Sequence, residues 1–377
     1  MGWRIEGTVR EWGGAVTAGR TPAERWLTRD DLGAAARSAT GLLLVSPDVS
    51  SVFPLGPADR AAATGLTVAA LRAAGVGPSD RVVVALAEPA GALWAAAAAD
   101  VAGAAAAVGP RGRMRLHHAL STLAANTLVI TPTGAMDFLA RLHLEFLLDP
   151  LDLGLATIVL TGEIASKRTM SHLAGEFGAR VTEVLASPFG GGALAWRAAE
   201  EDPLTPLADG LLGLAALAKD VPADPGASPA ELVVTPYGHS TLGDAVLRTG
   251  YVTGTRTPGI PAPAHTVGGH VLVRGVWLAL PRIEKALSRI DGVTGWELAI
   301  SRPGTLDTAV LMVTFGRESL VGNPMWRSRI RQAVQALTPV SIEVEIARDV
   351  RETPVPGTVN DLRGHHLGRD RALIIQG

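Results

Sequence analysis

Short apolar runs alternate with longer stretches of helical spacing through the first half of the chain. Leu66 to Ala74 repeats apolar residues at three- and four-residue intervals and stops at Gly75, which predicts a helix. Arg81-Val-Val-Val-Ala-Leu86 is short, continuous and β-branched, the pattern of a strand buried on both faces. Ala90 to Ala105 is helical by composition, with Pro89 placed to start it. A helix over Arg115 to Ala124 and a strand over Thr127 to Ile130 follow. Thr133 or Gly134 is then expected to cap a helix running to about Leu147. Ala156 to Leu160 is a third strand, Ser166 to Phe177 a helix ended by Gly178, and Arg180 to Leu185 a fourth strand. Strands alternating with helices imply a layered parallel sheet, and the chain is read as α/β.

After Phe189 the pattern changes. Gly190 to Gly192 reads as a loop, Pro222 to Pro229 as a surface excursion, and Glu231 to Thr235 as a strand. Gly250 to Pro263 is rich in Pro and Gly and is expected to be an irregular linker. From Gly268 the order is strand, helix (Pro281 to Arg289), strand (Trp296 to Arg302), strand (Ala309 to Phe315), helix (Asn323 to Leu337) and strand (Ser341 to Ala347). That is a small α+β unit. We therefore expect a large N-terminal domain over residues 1–266 and a small, mobile C-terminal domain over 267–377.

Composition narrows the chemistry. The 377 residues are 47% hydrophobic and 19% charged, an ordered globular balance. A net charge of −2 gives no basic excess that would advertise nucleic acid or an anionic membrane. Lysine occurs only at 167, 219 and 285, so Arg supplies nearly all positive charge; with heavy Ala and Gly usage this suggests a GC-rich genome such as an actinobacterium's. The absence of cysteine excludes disulfides, thiolate metal sites and thiol nucleophiles. No signal peptide is visible, and the Ala-rich stretch from Ala90 to Val108 carries Asp100 and reads as a buried helix, not a membrane span; the expected location is cytoplasmic.

One run aligns the whole chain: His270-Val-Leu-Val-Arg-Gly-Val-Trp-Leu-Ala-Leu-Pro-Arg-Ile-Glu284. It resembles the start of the C-terminal domain in adenylate-forming enzymes, above all the phenylacetate–CoA ligase branch. Other segments resemble that family in the same order: Leu71 to Asp80, Ile130-Thr-Pro-Thr133, Leu160-Thr-Gly-Glu163, Glu231 to Thr235, Leu247-Arg-Thr-Gly250 and Ser301 to Asp307. The resemblance implies a large acyl- and nucleotide-type domain of layered sheets and helices, a carboxylic substrate, ATP with Mg²⁺, and CoA.

The aligned chain departs from the family wherever nucleotide is held. The loop expected to wrap ATP phosphates falls within Leu43 to Ser51, which has no Gly and carries Pro47 and Asp48; one lacks an N–H, the other repels anions. Phe189 stands at the Mg²⁺-ligating Glu, and a hard cation needs oxygen. Tyr251 replaces the Asp on the ribose hydroxyls, His265 to Gly269 replaces the hinge motif, and Val355 falls at the C-terminal Lys. Ordinary ATP-dependent adenylation is therefore not expected, because few preorganised cations remain for a polyanionic transition state.

Candidate residues remain. Glu163 lies at a strand's C-terminal edge, where open α/β sheets bind ligands, and reads either as an acid–base group or as a capping carboxylate. His239 is the second candidate for proton transfer. Thr131, Ser187, Phe189 and Gly191 are expected to line an acyl or aryl pocket, with Phe189 either its wall or a filler of the adenine space. Arg248 and Tyr251 form a polar pair near the former ribose site; Arg248 reads as a bidentate anion clamp or as a loop pin. No metal-ligand spacing is present, and no metal site is expected.

Two function classes stay open. One is a ligase-like protein of secondary metabolism that binds an aryl or polyketide-like acid, with CoA or an acyl carrier protein as acceptor; in one variant its ATP site has been rebuilt. The other is a non-catalytic scaffold for pathway enzymes. A homodimer is compatible with either.

Overall fold

The computed structural model describes residues 25–223, 229–254 and 259–368. Its centre is a seven-stranded sheet. In spatial order the strands are Thr205–Pro206, Ala193–Arg197, Arg180–Ala186, Thr157–Thr161, Thr127–Ile130, Arg81–Ala85 and Ala104–Ala107. The last five are mutually parallel, and the first two add antiparallel.

Period-two alternation explains the layers. Val82, Val84, Val129 and Val159 face a core with Leu71, Trp94 and Ala97 from the helices Pro57–Ala73 and Ala90–Ala99. Val83, Leu128, Ile130, Ile158 and Leu160 face the opposite core, with Leu116, Phe138 and Leu173 from Arg113–Thr122, Pro132–Arg141 and Thr169–Phe177. The strands are buried on both sides, as the continuous apolar runs require.

A second sheet runs Trp26–Leu27, Val246–Thr253, Ala230–Val234 and Leu212–Ala215, with Pro263–Thr266 also pairing to Val246–Thr253. A third, of four strands, joins Glu343–Ile346, Thr308–Phe315, Val293–Ser301 and Thr358–Asp361. Its core with the helices Leu280–Leu287 and Pro324–Gln335 is separate from the others.

The hairpin His270–Val273/Val276–Ala279 links these parts. Leu272 and its cross-strand partner Trp277 enter the core shared with the second sheet. Val271, Val273, Val276 and Leu278 enter the C-terminal core. One residue of register therefore separates the two packing surfaces.

Several expectations are corrected. The helix from Ala90 ends at Ala99, and Ala104–Ala107 is an edge strand; Gly103 makes the turn against Pro78, where an added Cβ would lie 2.6 Å from the carbonyl oxygen. Alanine favours helix, but parallel pairing to Arg81–Ala85 decides. The stretch from Leu43 to Ser51 belongs to a β-hairpin, Leu42–Val45 against Val52–Leu55, not to an open loop. Gly250 to Thr253 continues a strand held on both edges; residues 255–258 of the expected linker and 224–228 of the expected excursion lie outside the described residues. The cap of Pro132–Arg141 is Thr131, whose hydroxyl accepts from the Gly134 N–H at 3.1 Å. Beyond Arg141 the helix widens into a π-turn, Leu142–Phe146, and ends at Leu147 as expected, where the backbone turns left-handed.

Candidate functional site

The residues that follow the parallel strands converge on one cleft of about 910 Å³. Leu86 to Ala90, Thr131, Thr161 to Glu163 and Ala186 to Gly191 all line it from the strands' C-terminal edge. The opposite wall comes from Arg274 to Trp277 at the hairpin turn, with Leu306 and Pro339 to Ser341. Contacts across the cleft tie the two walls. Thr305 donates to Asp137 at 3.0 Å, Arg302 to the Ser166 hydroxyl at 2.8 Å, and Arg111 to the Pro339 carbonyl at 2.6 Å. The hairpin turn needs positive φ at Arg274 and Gly275, and Gly275 sits beside Thr131 and Glu163.

Glu163 is buried at this cleft. Its carboxylate accepts the Thr133 N–H and the Thr133 hydroxyl, both at 2.9 Å. It thus binds the first turn of Pro132–Arg141, where unpaired N–H groups favour an anion. Burial nevertheless pushes its pKa above the usual carboxylate range, and the Thr133 hydrogen bonds only partly oppose this.

Ser187, Phe189 and Gly191 line the same cleft, as do Thr131 and Tyr251. The Ser187 hydroxyl accepts from the N–H groups of Phe189 (3.3 Å) and Gly190 (3.4 Å), and so shapes the turn. Gly191 has φ +71°, and its carbonyl accepts from the Trp94 indole at 2.7 Å. Tyr251 is buried edge-on to Trp277, with ring centroids 5.0 Å apart, and burial pushes its phenol pKa up.

Two expected residues fall elsewhere. Arg248 does not line the cleft: its guanidinium pairs with Glu231 (2.5 Å) and Asp220 (2.7 Å), binds the Ala216 and Lys219 carbonyls, and lies on Trp26. With donors spent inside the second sheet, it pins a loop and takes no ligand. His239 lines a different, mainly apolar cleft of about 430 Å³ behind the Ser187 to Gly192 segment. Its Nδ1 accepts from the N–H groups of Thr241 and Leu242, each at 3.2 Å, and burial lowers its pKa despite Asp59 at 3.7 Å. The structure therefore does not bring His239 and Glu163 to one site.

Beside Ser187, one wall of the cleft is packed with aromatic side chains and a buried cation. Phe189 stacks on Phe53 of the hairpin at 6.0 Å, and the Arg29 guanidinium lies 5.3 Å from the Phe189 ring centre and 4.6 Å from that of Trp277. Ser46 closes the loop beyond Val45 by donating to Asp48 at 2.6 Å. Sequence reasoning missed Arg29. The spacing of Thr28 and Asp31 signals only a capped turn, and nothing local marks its first residue as buried. It also missed Arg111, Arg113 and Arg115, which line the cleft; the run Gly109-Pro-Arg-Gly-Arg-Met-Arg115 ahead of a helix was a readable signal.

Comparison with known proteins assigns the fold. No protein-family model matches the sequence, and no curated protein matches it. Among solved structures, the chain resembles 2-hydroxyisobutyryl-CoA ligase in complex with 2-HIB-AMP and CoA in the thioesterification state. The identity is 18% over 89% of this chain and 81% of that one, with a TM-score of 0.72. An open conformation of the same ligase matches at 19% identity over 86% and 78%, with a TM-score of 0.52. The amide bond synthetase McbA from Marinactinospora thermotolerans matches at 14% identity over 82% and 65%, with a TM-score of 0.62. The chain has the α/β fold of the adenylate-forming ligases. Among the described residues, no helix is long and apolar enough to cross a membrane.

Proposed function

We propose that this protein binds a carboxylic or acyl substrate in the 910 Å³ cleft and works on it without ATP-dependent adenylation of the usual kind. The observation that carries this reading is the contrast within one cleft. A large cavity lies beside Glu163, while Phe189 and Tyr251 hold the positions where the family resemblance expects nucleotide-binding residues, and Arg29 packs against Phe189. Phe189 is at once filler and wall. A scaffold that needed only its outer surface would have no reason to keep such a cavity with a buried carboxylate at its edge.

The fold comparison supports a thiol acceptor. The chain superposes better on the CoA ligase captured in its thioesterification state than on the open form of the same enzyme. In that reading, residues 267–377 form a small domain closed on residues 1–266, and the turn Arg274 to Trp277 borders the path of a pantetheine arm. Arg115 at the cleft suits a phosphate of CoA or of a carrier-protein prosthetic group, while Arg113 and Arg111 beside it are engaged by Asp137 and the Pro339 carbonyl. A role in secondary metabolism, and descent from the phenylacetate–CoA ligase branch, fit the motifs of the sequence.

Catalytically, Glu163 is the available proton donor or acceptor: its raised pKa leaves part of the population protonated nearer neutrality than an ordinary carboxylate. The arginine content of the cleft favours one second reading, an acyl-CoA ligase whose ATP site is rebuilt from Arg. Calorimetric titration with ATP·Mg²⁺, with AMP and CoA as parallel titrants, separates the two. We expect saturable CoA binding and no ATP binding at millimolar concentration; micromolar ATP binding with substrate-dependent pyrophosphate exchange would establish the ligase reading instead.

A further inference from the structure

Arg29 is a buried cation with no ion-pair partner among the described residues. It opens the short turn Arg29–Asp31 and is only 5% exposed. One nitrogen, Nη1, donates to the Pro188 carbonyl at 2.8 Å and lies 3.5 Å from the Ser51 hydroxyl. The other, Nη2, is buried and has no hydrogen-bond partner among the described residues. No carboxylate reaches ion-pair distance of this guanidinium among those residues. Asp48, which acts on it electrostatically, accepts instead from the Ser46 hydroxyl and the Ser50 N–H. Burial lowers the pKa of Arg29 to about 10, which still leaves it charged at neutral pH.

An unpaired buried charge is expensive, and a buried N–H without an acceptor adds to that cost. Such a group persists where something else completes it. Trp277 and Phe189 hold the guanidinium plane by cation–π contact, which fixes its position without satisfying Nη2. Arg29 and both rings line the 910 Å³ cleft, so the buried, unsatisfied donor belongs to a side chain of the cleft's own wall.

We infer that Arg29 is the receptor for an oxyanion carried by the cleft's ligand, accepted at Nη2 while the ligand's body lies along Trp277 and Phe189. The inference rests on the reading of the cleft as a substrate site and adds to it the residue that selects an acid over its neutral analogues. Carboxylate and phosphate share the required chemistry, planar or tetrahedral oxygens facing a guanidinium fork.

The test uses the full chain and Trp fluorescence, since Trp277 touches Arg29, backed by calorimetry. Octanoate and benzoate are titrated beside octanamide and benzamide, with inorganic phosphate and AMP as the phosphoryl arm. We expect an acid or a phosphoryl anion to bind at least 10-fold more tightly than the amides, Arg29→Gln to erase that preference, and Arg29→Lys to keep part of it. Preference for the acids names a carboxylate, and preference for phosphate or AMP names a phosphoryl group. Amides binding as tightly as acids, or an anion preference that survives in Arg29→Gln, would overturn the inference while leaving the cleft a ligand site. Should Arg29→Gln fail to fold, the acid–amide comparison in the wild type still decides. Failure of every probe to bind would overturn the inference and the cleft reading together.

Discussion

Glu163 accepts both the backbone N–H and the hydroxyl of Thr133, at 2.9 Å each, and so fastens the end of the strand Thr157–Thr161 to the start of the helix Pro132–Arg141 that precedes it in the chain. Burial raises its folded pKa, so the folded state holds the proton more tightly than the unfolded chain does. That contribution is full below the unfolded pKa and is lost as pH rises through the folded one. Glu163→Gln, which fixes the neutral form, should therefore melt higher than wild type at pH 8, by on the order of a few °C. The difference should shrink toward pH 4.5. If Glu163 also moves protons in the reaction, turnover should fall in the same variant while ligand affinity holds. Scanning calorimetry at the two pH values reads the first effect.

His270 predicts the opposite slope. Burial, then the nearby Arg29 charge, lowers its pKa to about 3. The unfolded chain binds this proton near pH 6.5 and the folded chain does not. Stability is therefore present above pH 6.5 and drains away as pH falls toward 3. His270→Leu, which cannot titrate, should lose less melting temperature between pH 7.5 and pH 5 than wild type does. An equal loss in both would show that His270 is not the group responsible.

Arg248 and Glu231 form an ion pair with side chains only 1% and 0% exposed. Arg248→Met should cost about 3–5 kcal/mol in urea unfolding, because it strands the Glu231 carboxylate in the second sheet. Arg248→Met combined with Glu231→Leu should recover much of that loss. Ligand binding in the cleft should be unchanged in any variant that folds.

At Gly191 the backbone is left-handed, and an added Cβ would meet the Ala90 Cβ at 2.8 Å. Gly191→Ala should destabilise by about 1–3 kcal/mol, from φ strain and the clash together. It should also widen the contact of Trp94 with its carbonyl acceptor, visible as a red-shifted tryptophan emission.

Asp137 binds Arg113 at 2.5 Å on its own side of the cleft and Thr305 at 3.0 Å on the other. Removing two of the cross-cleft contacts, with Thr305→Ala and Arg302→Ala, should loosen the contact between the cleft's two walls without unfolding either core. Amide hydrogen exchange should then quicken at Arg274 to Trp277 and at Pro339 to Ser341, and stay slow in the strands Arg81–Ala85 and Thr127–Ile130.

The α/β architecture was legible because the strands Arg81–Ala85, Thr127–Ile130 and Thr157–Thr161 are buried on both faces and so carry uninterrupted apolar runs bounded by Gly and polar residues. The cleft was partly legible too: a residue that ends a parallel strand must emerge at the ligand-binding edge, which placed Thr131, Glu163 and Ser187. Local pattern failed where a partner strand outweighed propensity. Ala104–Ala107 pairs with Arg81–Ala85 although alanine prefers helix, and Gly250 to Thr253 is held by strands on both edges despite its linker-like composition.

The chain by itself determined which residues alternate between layers, since that is a fact of residue type and spacing. Only tertiary structure decided the fate of individual charges. Arg248 and Arg29 look alike in sequence, each a lone arginine beside a threonine. One is surrounded by carboxylates and carbonyls and is spent; the other is clamped between two aromatic rings, with one donor unmatched among the described residues. What surrounds a side chain is set by segments distant in sequence, here Pro188 and Trp277 around Arg29, and no local pattern encodes that meeting.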